Sequence, residues 1–240
     1  ARVPRVVTGG LDTIALRVPN HPVALKMLTA FGGGVAAPSA NRFGEVSPTT
    51  TRHVHAGLGA DVDYVLDGGP CSVGVESAIV DLTGEPAILR PGGVSREDLE
   101  HVLGRAVSVR AKSAVRVPGQ FPSHYAPRAR VLLVEPDRVL DEAELLAAQG
   151  QRVGVLLPPE FAGDAVSSSA QHVIAVPDSA AQYAQRLYGF LHDFDRHGCE
   201  VIVASLPALE GIGSAIADRL GRAAGPRDQA SRGSGRFSGR

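Results

Sequence analysis

The chain has 240 residues, of which 44% are hydrophobic, and it contains 28 Gly and 17 Pro. This length suits one large domain or two modest ones, and so many turn residues exclude a helical bundle and favour an α/β protein. Because 24 basic residues balance 25 acidic ones, the composition gives no general attraction to nucleic acid or to anionic membranes.

The first hundred residues are predicted to form short helices and strands joined by Gly-rich turns. A helix is expected over 22–31, and Ser47-Pro48 is typical of an N-cap followed by a first-turn proline. A further helix is predicted after Ser95, which begins an S-x-x-D capping pattern. Gly104 is expected to end this helix. Apolar runs and apolar–polar alternation predict strands at 13–18, 35–38, 62–66, 77–82 and 87–90.

The second half of the chain has a different organisation. Residues 110–128 lack periodicity and carry three prolines, which predicts a linker, and the Gly/Ser/Arg-rich tail at 227–240 is expected to be disordered. Between them, 129–226 alternates apolar runs with amphipathic stretches, which predicts a mainly parallel sheet in a small Rossmann-like domain. The runs are 131–134, 153–157, 173–176 and 201–204, and the helices are 141–149, 178–197 with Asp178 as N-cap, and 213–224.

The cysteines and the first residues of the chain give further expectations. Cys71 and Cys199 lie far apart, so neither a zinc site nor a disulfide framework is predicted, and a reducing cytoplasm is the expected location. No stretch reaches the length of a membrane span, and no signal peptide is recognisable. The chain starts with Ala1 and soon reaches a strand-like segment, so we expect it to enter a domain midway.

Polar side chains lie at the ends of several predicted strands. Ser39 and Asn41 follow the strand at 35–38, Ser77 precedes the next apolar run, and Arg90 ends the last one. One interpretation is ordinary turn chemistry, with a left-handed Asn and a surface charge. Together, however, these residues supply hydroxyl, amide and guanidinium donors, an array that can hold phosphate and carboxylate oxygens.

Five ordered motifs in the chain resemble the YrdC/Sua5 family, and the similarity extends over about residues 11–226. The motifs are A-P-S-A-N-R-F-G-E-V-S-P-T at 37–49, D-G-G-P-C-S-V-G-V-E-S-A-I-V-D at 67–81, I-L-R-P-G at 88–92, S-H-Y-A-P at 123–127 and G-S-A-I-A-D-R-L-G-R-A-A at 213–224. The last two are typical of the long-form members. The resemblance implies a YrdC-like twisted mixed sheet with helices over 1–109, lacking its N-terminal part, followed by a small Rossmann-like parallel α/β domain.

The resemblance also implies an activity. Family members combine L-threonine, bicarbonate and ATP into threonylcarbamoyl-AMP and release pyrophosphate, with Mg²⁺ accompanying the ATP. A separate tRNA threonylcarbamoyl-transfer complex then modifies adenosine 37 of tRNA. On this basis the chain is expected to be a cytoplasmic nucleotidyltransferase, with no metal ligand from its own side chains, no membrane contact and no strong direct binding of nucleic acid.

Individual residues take their implied roles from the family motifs. Ser39, Asn41, Ser77 and Arg90 would bind the nucleotide phosphate, the ribose and the carbamate, and Arg17 is the candidate for the threonine carboxylate. No catalytic acid or base is implied.

The S-H-Y-A-P motif suggests a further substrate contact. We predict that His124 and Tyr125 fold over the pocket as a lid that excludes water, with Tyr125 also contacting substrate. The alternative is that Tyr125 packs between the domains as an anchor.

The chain departs from the family in two respects. Ala78 replaces the threonine of an E-S-T motif, and a K-x-R motif of the N-terminal part has no match. We therefore expect a truncated chain, or a second polypeptide that supplies the rest. Two other functions remain open from the sequence: an RNA-binding module, which the balanced charge disfavours, and an inactive remnant of the enzyme.

Overall fold

The computed structural model describes residues 3–110, 124–167 and 170–226. They form a mixed three-stranded sheet in the first part of the chain and a parallel four-stranded sheet in the last part. This confirms the predicted fold class. Most of the predicted linker and the predicted disordered tail at 227–240 lie outside the described residues. Within those residues, every helix is too short or too polar to cross a membrane.

The mixed sheet is small and its central strand is buried. β1 (Ile79–Asp81) pairs antiparallel with β2 (Ala87–Arg90), and β2 pairs parallel with β3 (Ser108–Val109). The helices described in the same part of the chain are α1 (Pro22–Phe31), α2 (Thr51–Leu58), the 3₁₀ turn Gly59–Asp61 and α3 (Arg96–Leu103). As predicted, Ser95 caps α3 in a capping box with Asp98, and Gly104 ends the helix in a left-handed conformation.

The parallel sheet has the strand order β4-β7-β5-β6. Its strands are β4 (Arg130–Leu133), β5 (Val153–Leu157), β6 (His172–Ala175) and β7 (Val201–Ala204). The connecting helices are α4 (Val139–Ala148), α5 (Ala180–Arg196) and α6 (Gly213–Ala223), with 3₁₀ turns at Pro136–Arg138 and Pro159–Ser167. The two central strands are buried along their whole length, as expected where helices cover both faces.

Alternate residues of the central strands enter two apolar layers. Val201 and Val203 of β7 pack with α4, whereas Ile202 and Ala204 pack with α5 and α6. The α5–α6 layer also takes in three residues from outside the parallel domain, Val46, Val75 and Tyr125. The first part of the chain therefore docks on the α5–α6 side of the parallel domain.

Three predicted strands are wrong. The segments 13–18, 35–38 and 62–66 form no strand. A strand needs a neighbour to take its backbone hydrogen bonds, and within the described residues none pairs with these segments. The side chains of Leu16 and Val18 are 84% and 87% exposed, so the alternation at 13–18 marks no buried face.

Two predicted helix caps are also wrong. The second helix begins at Thr51 and is capped by Thr50, not by Ser47, whose hydroxyl instead donates to Glu76 over 2.6 Å. The long helix of the parallel domain is capped by Ser179 rather than Asp178. In both cases an adjacent or nearby hydroxyl reaches the backbone N–H in place of the residue that sequence preference favoured.

Candidate functional site

Two arginines converge on Ser77, just before β1. Nε and Nη2 of Arg90 donate to the carbonyl oxygen of Ser77 over 3.2 and 2.9 Å, and Nη1 of Arg17 lies 3.3 Å from its hydroxyl oxygen. The antiparallel register sets Arg90, the last residue of β2, opposite Ile79 of β1. Arg90 is only 7% exposed, whereas Arg17 is exposed. The fold thus brings together three of the predicted site residues, Arg17, Ser77 and Arg90, and two of them carry a positive charge.

Asn41 lies in a tight polar loop with Ser39. Its Nδ2 donates to the carbonyl oxygens of Arg42 and Glu45 over 3.1 and 2.9 Å, and Ala40 adopts a φ of 56°. Its Oδ1 is buried and has no hydrogen-bond partner among the described residues. A buried acceptor without a partner is uncommon, and a ligand hydroxyl or N–H would satisfy it. Ser39 is exposed, and the binding of one substrate by both Ser39 and Ser77 stays a prediction.

Residues 124–126 connect this loop to Arg90. The Ala126 N–H donates to the Gly44 carbonyl over 2.9 Å, and the ring of His124 lies edge-on to Phe43 at 5.7 Å between centroids. Burial raises the pKa of the Tyr125 hydroxyl, and the nearby guanidinium of Arg90 opposes that rise. The S-x-N loop, the linker motif and the strand-end arginine therefore form one continuous set of contacts.

Tyr125 is a core residue between the two parts of the chain. It is 1% exposed, its ring centroid lies 5.8 Å from that of Tyr188 on α5, and Cζ of Arg219 lies 5.2 Å from its ring centroid. Its φ of 59° is strained for a residue with a Cβ. This placement is the one that the anchor interpretation describes, and the lid role stays a prediction.

His124 is held neutral beside this core. Burial lowers the pKa of its imidazole, and the opposing attraction of Glu76 does not restore it. Its Nδ1 is buried without a hydrogen-bond partner among the described residues. A neutral imidazole with one unpartnered nitrogen can accept or donate a single hydrogen bond, depending on its tautomer.

Sequence reasoning missed a charged network behind the site. The carboxylate of Glu76 accepts hydrogen bonds from the hydroxyls of Ser47 and Tyr188 and from Nε of Arg219, at 2.6 to 3.1 Å. Arg219, on α6, is fully buried. Glu76 and Arg219 both lie inside recognised motifs, but they are 143 residues apart, and only the folded chain pairs them.

The network keeps Glu76 ionised. Burial opposes ionisation of its carboxyl, but the guanidinium of Arg219 and the hydrogen bonds from Ser47, Arg219 and Tyr188 outweigh it, so its pKa lies below the ordinary value. With both oxygens already engaged, this carboxylate is a poor ligand for an added cation.

A separate cleft of about 590 Å³ lies between the two parts of the chain and includes none of the predicted site residues. His172 and Asp193 line this cleft, and together with His197 they form a group with the composition of a metal site. The two imidazole rings are stacked at 4.0 Å and 15°, so their lone pairs run side by side instead of converging, and Asp193 is already ion-paired with Arg196. These contacts favour a packed polar cluster over a metal centre.

Two protein-family models match the chain along almost its whole length. The model described as "Telomere recombination", for the Sua5, YciO and YrdC proteins, matches residues 1–92. The model described as "Threonylcarbamoyl-AMP synthase, C-terminal domain" matches residues 94–225.

Similar curated proteins come from an archaeon, a bacterium and a yeast, and all are named threonylcarbamoyl-AMP synthase. The Pyrococcus abyssi protein is 38% identical over 237 residues, the Bacillus subtilis protein 37% over 231 and the Schizosaccharomyces pombe protein 35% over 240. The matches cover 94, 92 and 91% of this chain, and 68, 66 and 59% of those proteins.

Solved structures agree with these sequence matches. The crystal structure of P. abyssi Sua5 complexed with L-threonine superposes with a TM-score of 0.83 at 36% identity, covering 92% of this chain and 67% of that one. The structure of a P. abyssi Sua5 variant with a His and a Tyr changed to Ala superposes with a TM-score of 0.82 at 34% identity. It covers 92% of this chain and 66% of that one.

Proposed function

The chain belongs to the threonylcarbamoyl-AMP synthase family, and from that premise we propose that the protein joins L-threonine, bicarbonate and ATP into threonylcarbamoyl-AMP, with release of pyrophosphate and water. The observation that carries the proposal is the convergence of Arg17 and Arg90 on Ser77. Two guanidinium groups at one point suit substrates that are rich in anionic oxygens.

The reaction needs such a site. A carbamate oxygen of carboxylated threonine forms a bond to the α-phosphorus of ATP, the bond from that phosphorus to the bridging oxygen breaks, and the electron pair leaves with pyrophosphate. Charge is shared among the carbamate, the α-phosphoryl group and the leaving group, so fixed positive groups and close positioning supply most of the catalysis. We assign that work to Arg90 and its neighbours.

Each substrate has proposed contacts. The P. abyssi relative was crystallised with L-threonine, and here we assign the threonine carboxylate to Arg17. The nucleotide phosphate, the ribose and the carbamate are assigned to Ser39, Asn41, Ser77 and Arg90. The buried Oδ1 of Asn41 suits a ribose hydroxyl, which would donate to it.

The proposal also covers the metal ion, the downstream partner and the cellular location. Because Glu76 is engaged by Ser47, Tyr188 and Arg219, we expect Mg²⁺ to arrive on the ATP phosphates and not on this carboxylate. The product would pass to a tRNA threonylcarbamoyl-transfer complex. A reducing cytoplasm is the proposed location, because Cys71 and Cys199 lie far apart in the sequence and suggest no disulfide framework.

Pyrophosphate release from the purified protein tests the proposal. It should require ATP, L-threonine and bicarbonate together, and serine in place of threonine should support less of it. Release that is indifferent to threonine would contradict the assignment.

A further inference from the structure

One buried guanidinium joins the parallel domain to both sides of the proposed substrate site. Nε of Arg219 donates to Oε2 of Glu76 over 2.7 Å, and Nη2 donates to the carbonyl oxygen of Pro91 over 3.0 Å. Glu76 immediately precedes Ser77, and Pro91 immediately follows Arg90. The two acceptors therefore flank the pair that carries the proposed chemistry.

The segments held by Arg219 also touch each other. A Cβ at Gly92 would lie 2.0 Å from the amide nitrogen of Ala78 and 2.3 Å from the carbonyl carbon of Ser77, so the two backbones are in direct contact. The Gly93 N–H donates to the Glu76 carbonyl over 3.3 Å. A displacement of one segment must therefore displace the other.

Arginine has the shape that this place requires. The remaining guanidinium nitrogen of Arg219, Nη1, pairs with Asp218, and its Cζ lies over the ring of Tyr125. A planar fork can serve a carboxylate and a carbonyl in fixed directions at once, whereas a lysine ammonium is a single point charge. Because a buried ion pair adds little net stability compared with an apolar pair of the same size, stability alone does not account for this arrangement.

We infer that Arg219 is a positioning residue for the proposed synthase reaction: through Glu76 and Pro91 it fixes the backbone that sets Ser77 and Arg90 against the ATP phosphates. The parallel domain then helps to fix the backbone of the substrate site, in addition to packing against it. This inference rests on the proposed function where activity is measured. The contacts of Arg219 can also be tested without an activity assay.

The first test is Arg219→Lys in the purified protein, with Arg222→Lys as the matched control. Arg222 lies one turn further along α6 and pairs with Asp218, so the control alters the same helix and the same acid without touching Glu76 or Pro91. We expect Arg219→Lys to lower kcat/KM for ATP by about 10- to 100-fold per folded molecule, the scale of a small misplacement of reacting groups. KM for threonine should change less, and the control should stay within about twofold of the unchanged protein.

Hydrogen exchange supplies the readout that does not depend on activity. The amides of residues 76–92 should exchange faster in Arg219→Lys than in the control. If the unchanged protein makes no threonylcarbamoyl-AMP, the proposed function fails while this comparison still tests the contact. Glu76→Gln, which keeps the shape and removes the charge, covers the case in which Arg219→Lys does not fold, and the same loss is expected from it.

Two results would overturn the inference. One is a variant, either Arg219→Lys or Glu76→Gln, whose folded fraction keeps the kcat and KM of the unchanged protein. The other is a loss of activity that merely follows the unfolded fraction, with unchanged exchange over 76–92, since that describes a structural contact only.

Discussion

Replacing Tyr125 with Ala distinguishes an anchor from a lid. The ring is 1% exposed and packs against Tyr188 and Arg219, so its removal leaves a cavity in the core between the two parts of the chain. Truncating a buried large aromatic residue costs about 3–5 kcal/mol. Alanine also retains a Cβ at the φ of 59°, so the substitution relieves none of the backbone strain. At about 2–4 °C per kcal/mol for a chain of this size, we expect Tm to fall by about 6–20 °C.

The assay combines thermal unfolding with the ratio of ATP consumed to threonylcarbamoyl-AMP formed. An anchor predicts a large fall in Tm with the ratio unchanged. Tyr125→Phe is the control: it keeps the buried ring and loses only the hydroxyl, so most of the stability should remain. An unchanged Tm in Tyr125→Ala, together with ATP hydrolysis uncoupled from product formation, would refute the anchor and support the lid.

Three further predictions concern other parts of the molecule. Asn41→Ala should lower kcat/KM by about 10²-fold, the scale for loss of one preorganised polar contact, and Tm should fall only modestly, through loss of the two loop hydrogen bonds from Nδ2; a near-normal rate would show that the site lies elsewhere. Gly92→Ala should reduce activity because its Cβ would meet the Ala78 nitrogen at 2.0 Å, whereas Gly84→Ala, with no atom within 4 Å, should not; equal activities would contradict the close contact. Burial, with the charges of nearby basic residues, lowers the pKa of His53 from 6.5 to about 4. The unfolded chain then binds the proton first, and the free energy of unfolding should fall as pH drops through that interval. His53→Gln should flatten this dependence in pH-resolved thermal melts, and an identical profile in the variant would refute it.

The parallel domain was largely predictable from the sequence. The strands at 153–157 and 201–204 were predicted with their observed bounds, because buried parallel strands are continuous apolar runs. The capped helix after Ser95 was also predicted correctly, since capping is a local interaction. The strands expected at 13–18, 35–38 and 62–66 were not found, because pairing depends on a neighbour that no local pattern specifies.

The candidate site was predictable only in part, for the same reason. Ser77 and Arg90 were expected together because they lie at the ends of predicted neighbouring strands, and the structure joins them directly. The partnership of Glu76 with Arg219 depends on how α6 docks against the first part of the chain. Neither residue's local sequence distinguishes a buried pair from two solvated charges.

Incorporation of labelled bicarbonate tests the central claim most directly. The purified protein would be incubated with ¹⁴C-bicarbonate, L-threonine and Mg-ATP, and the products separated. The account predicts one product that carries the label, threonine and AMP, formed in equal amount to pyrophosphate and absent when threonine is omitted. Pyrophosphate release without any labelled product would contradict it.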